Sequence, residues 1–154
     1  MIDLAVDIVK KAFGGKVDKA DQPYINHLIR VMNACPNIGN SDDYCDLKII
    51  TLLHDLLEDF PTEWDEGRLR CLFSNNIVEG VIALTHKQGQ SYNDYISQIL
   101  ENQLATIVKK YNLEDNMDMT RLKTITTDDI NRLKKYHKAY KRIISYIPGI
   151  EKQN

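Results

Sequence analysis

His54, Asp55, Glu58 and Asp59 interrupt an otherwise apolar run, Ile49-Ile50-Thr51-Leu52-Leu53-His54-Asp55-Leu56-Leu57-Glu58-Asp59-Phe60. Imidazole nitrogens and carboxylate oxygens this close in sequence can ligate a divalent cation or move protons to and from water. If the run is one helix turning roughly 100° per residue, taking His54 as zero puts Asp55 near about 100°, Glu58 near about 40° and Asp59 near about 140°. All four then share one side, while Leu52, Leu53, Leu56 and Leu57 cover the rest. A helix apolar around most of its circumference belongs inside a domain. Titratable groups on such a helix need a cation, a partner or water, because an unpaired buried charge is very costly. A metal ion satisfies them. A half-exposed helix with Glu58 and Asp59 solvated at its C-terminal end also satisfies them, and a His-Asp pair alone is weak grounds for choosing.

The elements that must position this run read as helices throughout. Ile2 to Phe13 has apolar residues at helical spacing and stops at Gly14-Gly15. Lys16 to Gln22 is a polar loop holding Lys16 and Lys19, and Pro23 opens a second helix with Tyr24, Ile25, Leu28, Ile29, Val31 and Met32. His27 lies on that helix; a histidine so placed is, taken alone, more often a hydrogen-bonded core residue than a ligand. Pro36 ends the helix in a turn over Pro36 to Asn40, and Ser41 caps the third helix, which carries the opening run and stops at Phe60-Pro61. A short helix follows from Thr62-Glu63-Trp64-Asp65 to the neighbourhood of Phe73. Asn75 or Asn76 caps Ile77 to His86, and Ser91 caps a helix with Tyr92, Tyr95, Ile96 and Ile99. Leu104 to Leu122 is helical with a polar interruption from Asn112 to Asp118. Thr126 or Thr127 opens the last helix, Ile130 to Tyr146, which Pro148-Gly149 closes. Its basic residues Lys134, Lys135, Lys138, Lys141 and Arg142 read most simply as a solvated face. The pattern predicts one all-α domain over residues 1–154 with about eight helices, and it contains no β-hairpin, Gly-rich phosphate loop, repeat or linker.

Bulk properties narrow the function. With 154 residues, 43% hydrophobic and 27% charged, the chain is long enough to bury a core of its own. A formal net charge of −2 exerts no general pull on nucleic acid, so an anionic ligand needs a local basic cluster. No run approaches membrane-spanning length, and Asp3 and Asp7 fall where a signal peptide would be apolar. The three cysteines, Cys35, Cys45 and Cys71, are odd in number and lack C-x-x-C spacing, so they read as reduced thiols. The expectation is a soluble cytoplasmic protein with neither a nucleic-acid nor a membrane partner.

A histidine on the second helix, a His-Asp pair about a helix and loop later and an acidic residue on a late helix form an H…HD…D arrangement, which resembles the ligand order of HD-domain metal phosphohydrolases. The local wording is more specific. Lys19-Ala20-Asp21-Gln22-Pro23-Tyr24-Ile25-Asn26-His27 resembles the K-x-G-x-P-Y-I-x-H segment of RelA/SpoT-type hydrolase domains and small alarmone hydrolases. Leu52-Leu53-His54-Asp55-Leu56-Leu57-Glu58-Asp59 resembles their L-L-H-D-V-V-E-D. Gly89-Gln90-Ser91-Tyr92, Tyr95-Ile96 and Leu113-Glu114-Asp115-Asn116-Met117-Asp118 are similar to small bacterial relatives, so the likeness extends from the first helix to the last.

The resemblance implies a single HD-type helical domain. It places the first three metal ligands on His27, His54 and Asp55, and the catalytic acidic pair on Glu58 and Asp59. Asn116 becomes the substrate-side asparagine, Tyr136 a nucleotide-contacting tyrosine, and Lys19 a basic residue near the base; Lys87 joins the substrate-binding set by its loop position. Three positions depart from the family. Asn112 stands at the fourth ligand position, where V-K-L-A-D-L-x-x-N supplies aspartate, Phe13 replaces the histidine of A-H-x-G-Q, and Leu28 replaces the proline after the ligand histidine. Asp115 follows Asn112 by three residues, roughly 60° away around a helix, and reaches inward if the backbone there is turned.

Imidazole and carboxylate ligands suit a divalent first-row metal such as Mn²⁺, Fe²⁺ or Zn²⁺, and the family favours Mn²⁺. The reaction implied is removal of the 3′-pyrophosphate from guanosine tetra- or pentaphosphate, with Glu58 or Asp59 handling the water proton. Because asparagine brings no formal charge, the resemblance with Asn112 also implies a metal bound weakly or absent. The alternatives are another nucleotide phosphate in the same site, or a catalytically weakened domain that binds a nucleotide or a partner.

Overall fold

The structure is a computed structural model and describes residues 1–39 and 41–147. Asn40, the last residue of the expected Pro36–Asn40 turn, and the expected Pro148-Gly149 stop lie outside the described residues. The described chain is all helical: α1 (Ile2–Phe13), α2 (Ile25–Ala34), α3 (Ser41–Leu53), α4 (Leu56–Asp59), α5 (Glu66–Arg70), α6 (Asn75–Leu84), α7 (Tyr92–Leu100), α8 (Gln103–Met117) and α9 (Thr127–Tyr146). A 3-10 turn, Met119–Arg121, separates α8 from α9. Among the described residues the one β-type pairing is an isolated bridge between Val17 and Pro23, which pins the loop ahead of α2.

The second half of α3 has no polar side. Leu47, Ile49, Ile50, Thr51, Leu52 and Leu53 are all buried, and the Thr51 hydroxyl is satisfied by donating to Leu47 O at 2.8 Å. Such a helix is stable only when surrounded, and α1, α2, α6 and α8 pack around it. The outer helices are amphipathic; α1, for example, turns Ala5, Ile8, Val9 and Phe13 inward. Caps set the entry of several: Ser91 Oγ accepts the Asp94 N–H at 3.1 Å, and Thr126 and Asp129 form a reciprocal capping box on α9. No helix among the described residues is long and apolar enough to cross a membrane.

Gly80 sets the approach of α6 to α3. A Cβ there would stand 2.5 Å from Ile50 Cδ1 and 3.0 Å from its Cγ1. Gly80→Val should therefore lower stability by about 1–3 kcal/mol despite the better helix propensity of valine, read as a drop in the urea midpoint at unchanged m-value.

Two sequence expectations need correction. The third helix does not run unbroken to Phe60: His54 and Asp55 form a turn between α3 and α4, with Asp55 as the N-cap of α4. The His54 ring lies behind this, since its Nδ1 donates to Thr51 O at 2.6 Å, the carbonyl that an uninterrupted helix offers to the N–H of residue 55. This break divides the expected third helix into α3 and α4. Conversely, α8 is not interrupted at Asn112 but continues to Met117. Asn112, Glu114 and Asp115 stay helical with partners off the helix or one turn along it. Asn112 meets two histidines, Glu114 accepts from Lys110 at 2.9 Å and from Tyr140 at 2.8 Å, and Asp115 meets His27 and Arg30.

Candidate metal centre

Two segments deliver Lewis bases to one point. His27 comes from α2, and His54 and Asp55 from the turn between α3 and α4; one ligand atom from each lies within 4.8 Å of the others. Asp55 Oδ2 stands 3.0 Å from His54 Nε2 and 3.9 Å from His27 Nε2. The far side of each ring is already engaged, His27 Nδ1 with Asp115 Oδ2 at 2.7 Å and His54 Nδ1 with Thr51 O at 2.6 Å. A carboxylate and a carbonyl only accept, so both Nδ1 atoms carry a proton and each ring turns its Nε2 toward Asp55. Tyr24 completes the carboxylate by donating its hydroxyl to Asp55 Oδ2 at 2.6 Å.

The electrostatics follow from this crowding. Burial alone would raise the Asp55 pKa, but the His54 ring beside it, with His27 and the Tyr24 hydroxyl, holds the carboxyl well below its usual range. Burial alone would lower His54, and the Asp55 carboxylate outweighs it, so the imidazole sits above its ordinary value.

Asn112 faces the same point from α8. It is 4% exposed, and its Nδ2 lies 2.7 Å from His54 Nε2 and 3.3 Å from His27 Nε2. With the rings neutral, the two amide hydrogens satisfy the two imidazole lone pairs. Two imidazole nitrogens and a carboxylate oxygen in this arrangement fit a divalent first-row ion. Asn112 fits such an ion only with its amide turned over, when it offers a neutral oxygen.

Beside the cluster opens a cavity of about 560 Å³. Glu58 and Asp59, both exposed on α4, line it; the backbone N–H of His86 donates to Glu58 Oε2 at 3.2 Å, and Asp59 is ion-paired with Lys16. Lys19, Asn116 and Tyr136 also line the cavity, from the loop before α2, from α8 and from α9. Burial lowers the Lys19 ammonium from its ordinary value, with Arg132 acting in the same direction. Lys87 is not a lining residue. It is exposed in a turn where Gly89 has φ +78°, and its backbone N–H donates to Gln90 Oε1 at 3.2 Å.

Solved structures share this architecture. One matches over 96% of this chain and 85% of its own, with a TM-score of 0.72 at 19% identity: a metazoan ortholog of SpoT that hydrolyzes ppGpp and plays a role in starvation responses. The chain shares the helical fold of that protein. No protein-family model matches the sequence, and no curated protein resembles it closely enough to count as a match.

Within this fold several polar residues escaped the sequence reading. Tyr24 looked like part of an apolar stripe, yet it donates to Asp55. Lys109 lies one turn before Asn112 and lines the cavity, where its ammonium donates to Tyr95 OH at 3.3 Å; burial lowers its pKa against the opposing pull of Asp55 and Glu58. Arg30 lies one turn after His27, a spacing that could have flagged it. The basic side of α9 is not uniformly solvated: Lys135 lines the cavity and lies 4.7 Å over the Tyr92 ring, while Arg142 donates to Asn93 O at 2.9 Å and Ser97 Oγ at 2.7 Å.

Acid should expose the Asp55 and Asp115 pairings. Burial alone would raise Asp115, but hydrogen bonds from His27 and Arg30 hold it, like Asp55, below the usual carboxylate range. Groups with depressed folded values contribute stability that is complete above about pH 4 and lost as pH falls toward those values. Urea midpoints should fall steeply below about pH 4, and Asp115→Asn should flatten that fall.

Proposed function

We propose that the chain is a single-domain, divalent-metal-dependent phosphohydrolase that removes the 3′-pyrophosphate of guanosine tetra- or pentaphosphate in the cytoplasm. The observation that carries this reading is the meeting of His27, His54 and Asp55 within 4.8 Å, with both Nδ1 protons committed elsewhere, beside a cavity that His27 and Asp55 line together with cations and carboxylates. The substrate follows from the motif resemblance and from the ppGpp hydrolase of the same fold.

In this reading His27, His54 and Asp55 hold the metal, preferentially Mn²⁺, with Asn112 as a neutral fourth neighbour. Such an ion would supply Lewis acidity toward water and the phosphoryl group. Glu58 accepts the water proton on a carboxylate oxygen, its other oxygen being steadied by the His86 N–H. Asp59, paired with Lys16, ties the loop after α1 to α4 and keeps Glu58 in place. Water oxygen joins the phosphorus nearest the ribose, the bond to the 3′ oxygen breaks, and that oxygen takes up a proton. Lys16, Lys19, Lys109 and Lys135 offset phosphate charge, while Tyr136 and Asn116 contact the nucleoside.

A second reading rests on Asn112 alone. Its amide nitrogen already satisfies both imidazoles, so the cluster is complete without a cation and the domain can serve as a nucleotide-binding module with little turnover. Pyrophosphate release from guanosine tetraphosphate in added Mn²⁺ selects the hydrolase. Saturable nucleotide binding with no release at any Mn²⁺ concentration selects the module.

A further inference from the structure

Asp115 lies on the outer side of His27, away from the point where the ligands meet. Its Oδ2 accepts the His27 Nδ1 proton at 2.7 Å. The carboxylate is clamped there: Arg30 Nε donates to Oδ1 at 2.7 Å, Arg30 Nη2 to Oδ2 at 3.1 Å, and Arg121 Nη2 to Oδ2 at 3.1 Å and to the Asp115 carbonyl. Asp18 Oδ2 stands 3.7 Å from both guanidinium groups, so the arginines are neutralised from behind as well. The Asp115 side chain is only 12% exposed.

We propose that Asp115 is the positioning residue of this centre: it locks His27 in the Nδ1–H tautomer and so keeps Nε2 turned toward the point where Asp55 and Asn112 meet. The inference rests on the metal reading for its consequence, but not for its geometry. The two histidines are unequal. His54 gives its Nδ1 proton to a neutral carbonyl, whereas His27 gives its proton to a carboxylate. A charge-assisted bond of this kind is roughly twice as strong as a neutral one, and it raises the basicity of the opposite nitrogen. That nitrogen, His27 Nε2, is the one turned toward Asp55 and Asn112. Asp115 is therefore not a substitute ligand: with α8 unbroken, it acts one atom shell further out.

The test uses metal-free full-length protein and reads the ring directly by ¹⁵N–¹H correlation at neutral pH. Wild type should show His27 as the Nδ1–H tautomer. Asp115→Asn keeps an acceptor and should retain that tautomer. Asp115→Leu should shift it toward Nε2–H. In parallel, Mn²⁺ titration should weaken by about 10- to 100-fold in Asp115→Leu, the range for lost outer partners of ligating histidines, and by less in Asp115→Asn. An unchanged His27 tautomer in Asp115→Leu, with folding verified by the other histidine signals, overturns the proposal. So does an Nε2–H tautomer in wild type. If wild type binds no Mn²⁺, the metal reading fails, while the tautomer shift still decides what Asp115 does to His27.

Discussion

Glu58→Gln should leave metal binding intact and reduce turnover by on the order of 10²–10⁴, the usual loss for a general base. The glutamine keeps the size of the side chain and can still accept the His86 N–H, so folding should not change. What it cannot do is take a proton from water. Glu58 is exposed on α4 and contributes little to the core, so its stability effect should stay within about 0.5 kcal/mol. Steady-state pyrophosphate release at saturating Mn²⁺, beside a direct metal titration, separates the two roles. A variant that turns over at the wild-type rate would reduce Glu58 to a solvated helix-end charge.

Asn112→Asp should invert the relation between stability and metal. In the native protein the amide hydrogens of Asn112 satisfy His27 Nε2 and His54 Nε2, so the cluster needs no cation to hold together. Aspartate has no hydrogen to give, and it faces the Asp55 carboxylate and two lone pairs. Without metal, the variant should melt below wild type, because an unpaired buried polar group costs about 1–3 kcal/mol. With metal, the added charge should tighten Mn²⁺ binding by at least about tenfold, the lower end seen for changes around a metal centre, and the ion should then stabilise the fold by mass action. Melting in chelator and in excess Mn²⁺ reads both effects. Equal responses in wild type and variant would mean that position 112 does not face the ion.

Part of this was legible in the sequence, and the rest was not for identifiable reasons. Apolar residues at helical spacing in α1, α3, α6 and α7 point to an all-α fold because burial acts on side-chain periodicity. The break after Leu53 left no such trace: it depends on the His54 ring taking the Thr51 carbonyl, and neither residue type breaks helices by itself. Asn112 to Asp118 read as an interruption because polar runs usually seek water. In α8 they seek His27, His54 and Arg30, partners far away in the chain. Motif spacing identified His27, His54 and Asp55 as candidates, and the structure brings them together. Lys87 had only its loop position to recommend it, and loop position does not say which way a turn faces. Asp115 could be weighed only as a replacement ligand, since its real partner, the Nδ1 of His27, has no sequence signature.

The central claim is that His27, His54 and Asp55 hold a divalent ion that serves phosphoryl hydrolysis. It is tested most directly by titrating Mn²⁺ into chelator-treated wild type and His54→Ala while following pyrophosphate release from guanosine tetraphosphate in the same samples. Wild type should bind Mn²⁺ saturably, with turnover rising along the binding curve, and His54→Ala should show neither. Turnover that persists in His54→Ala, or that does not follow Mn²⁺ occupancy in wild type, would contradict it.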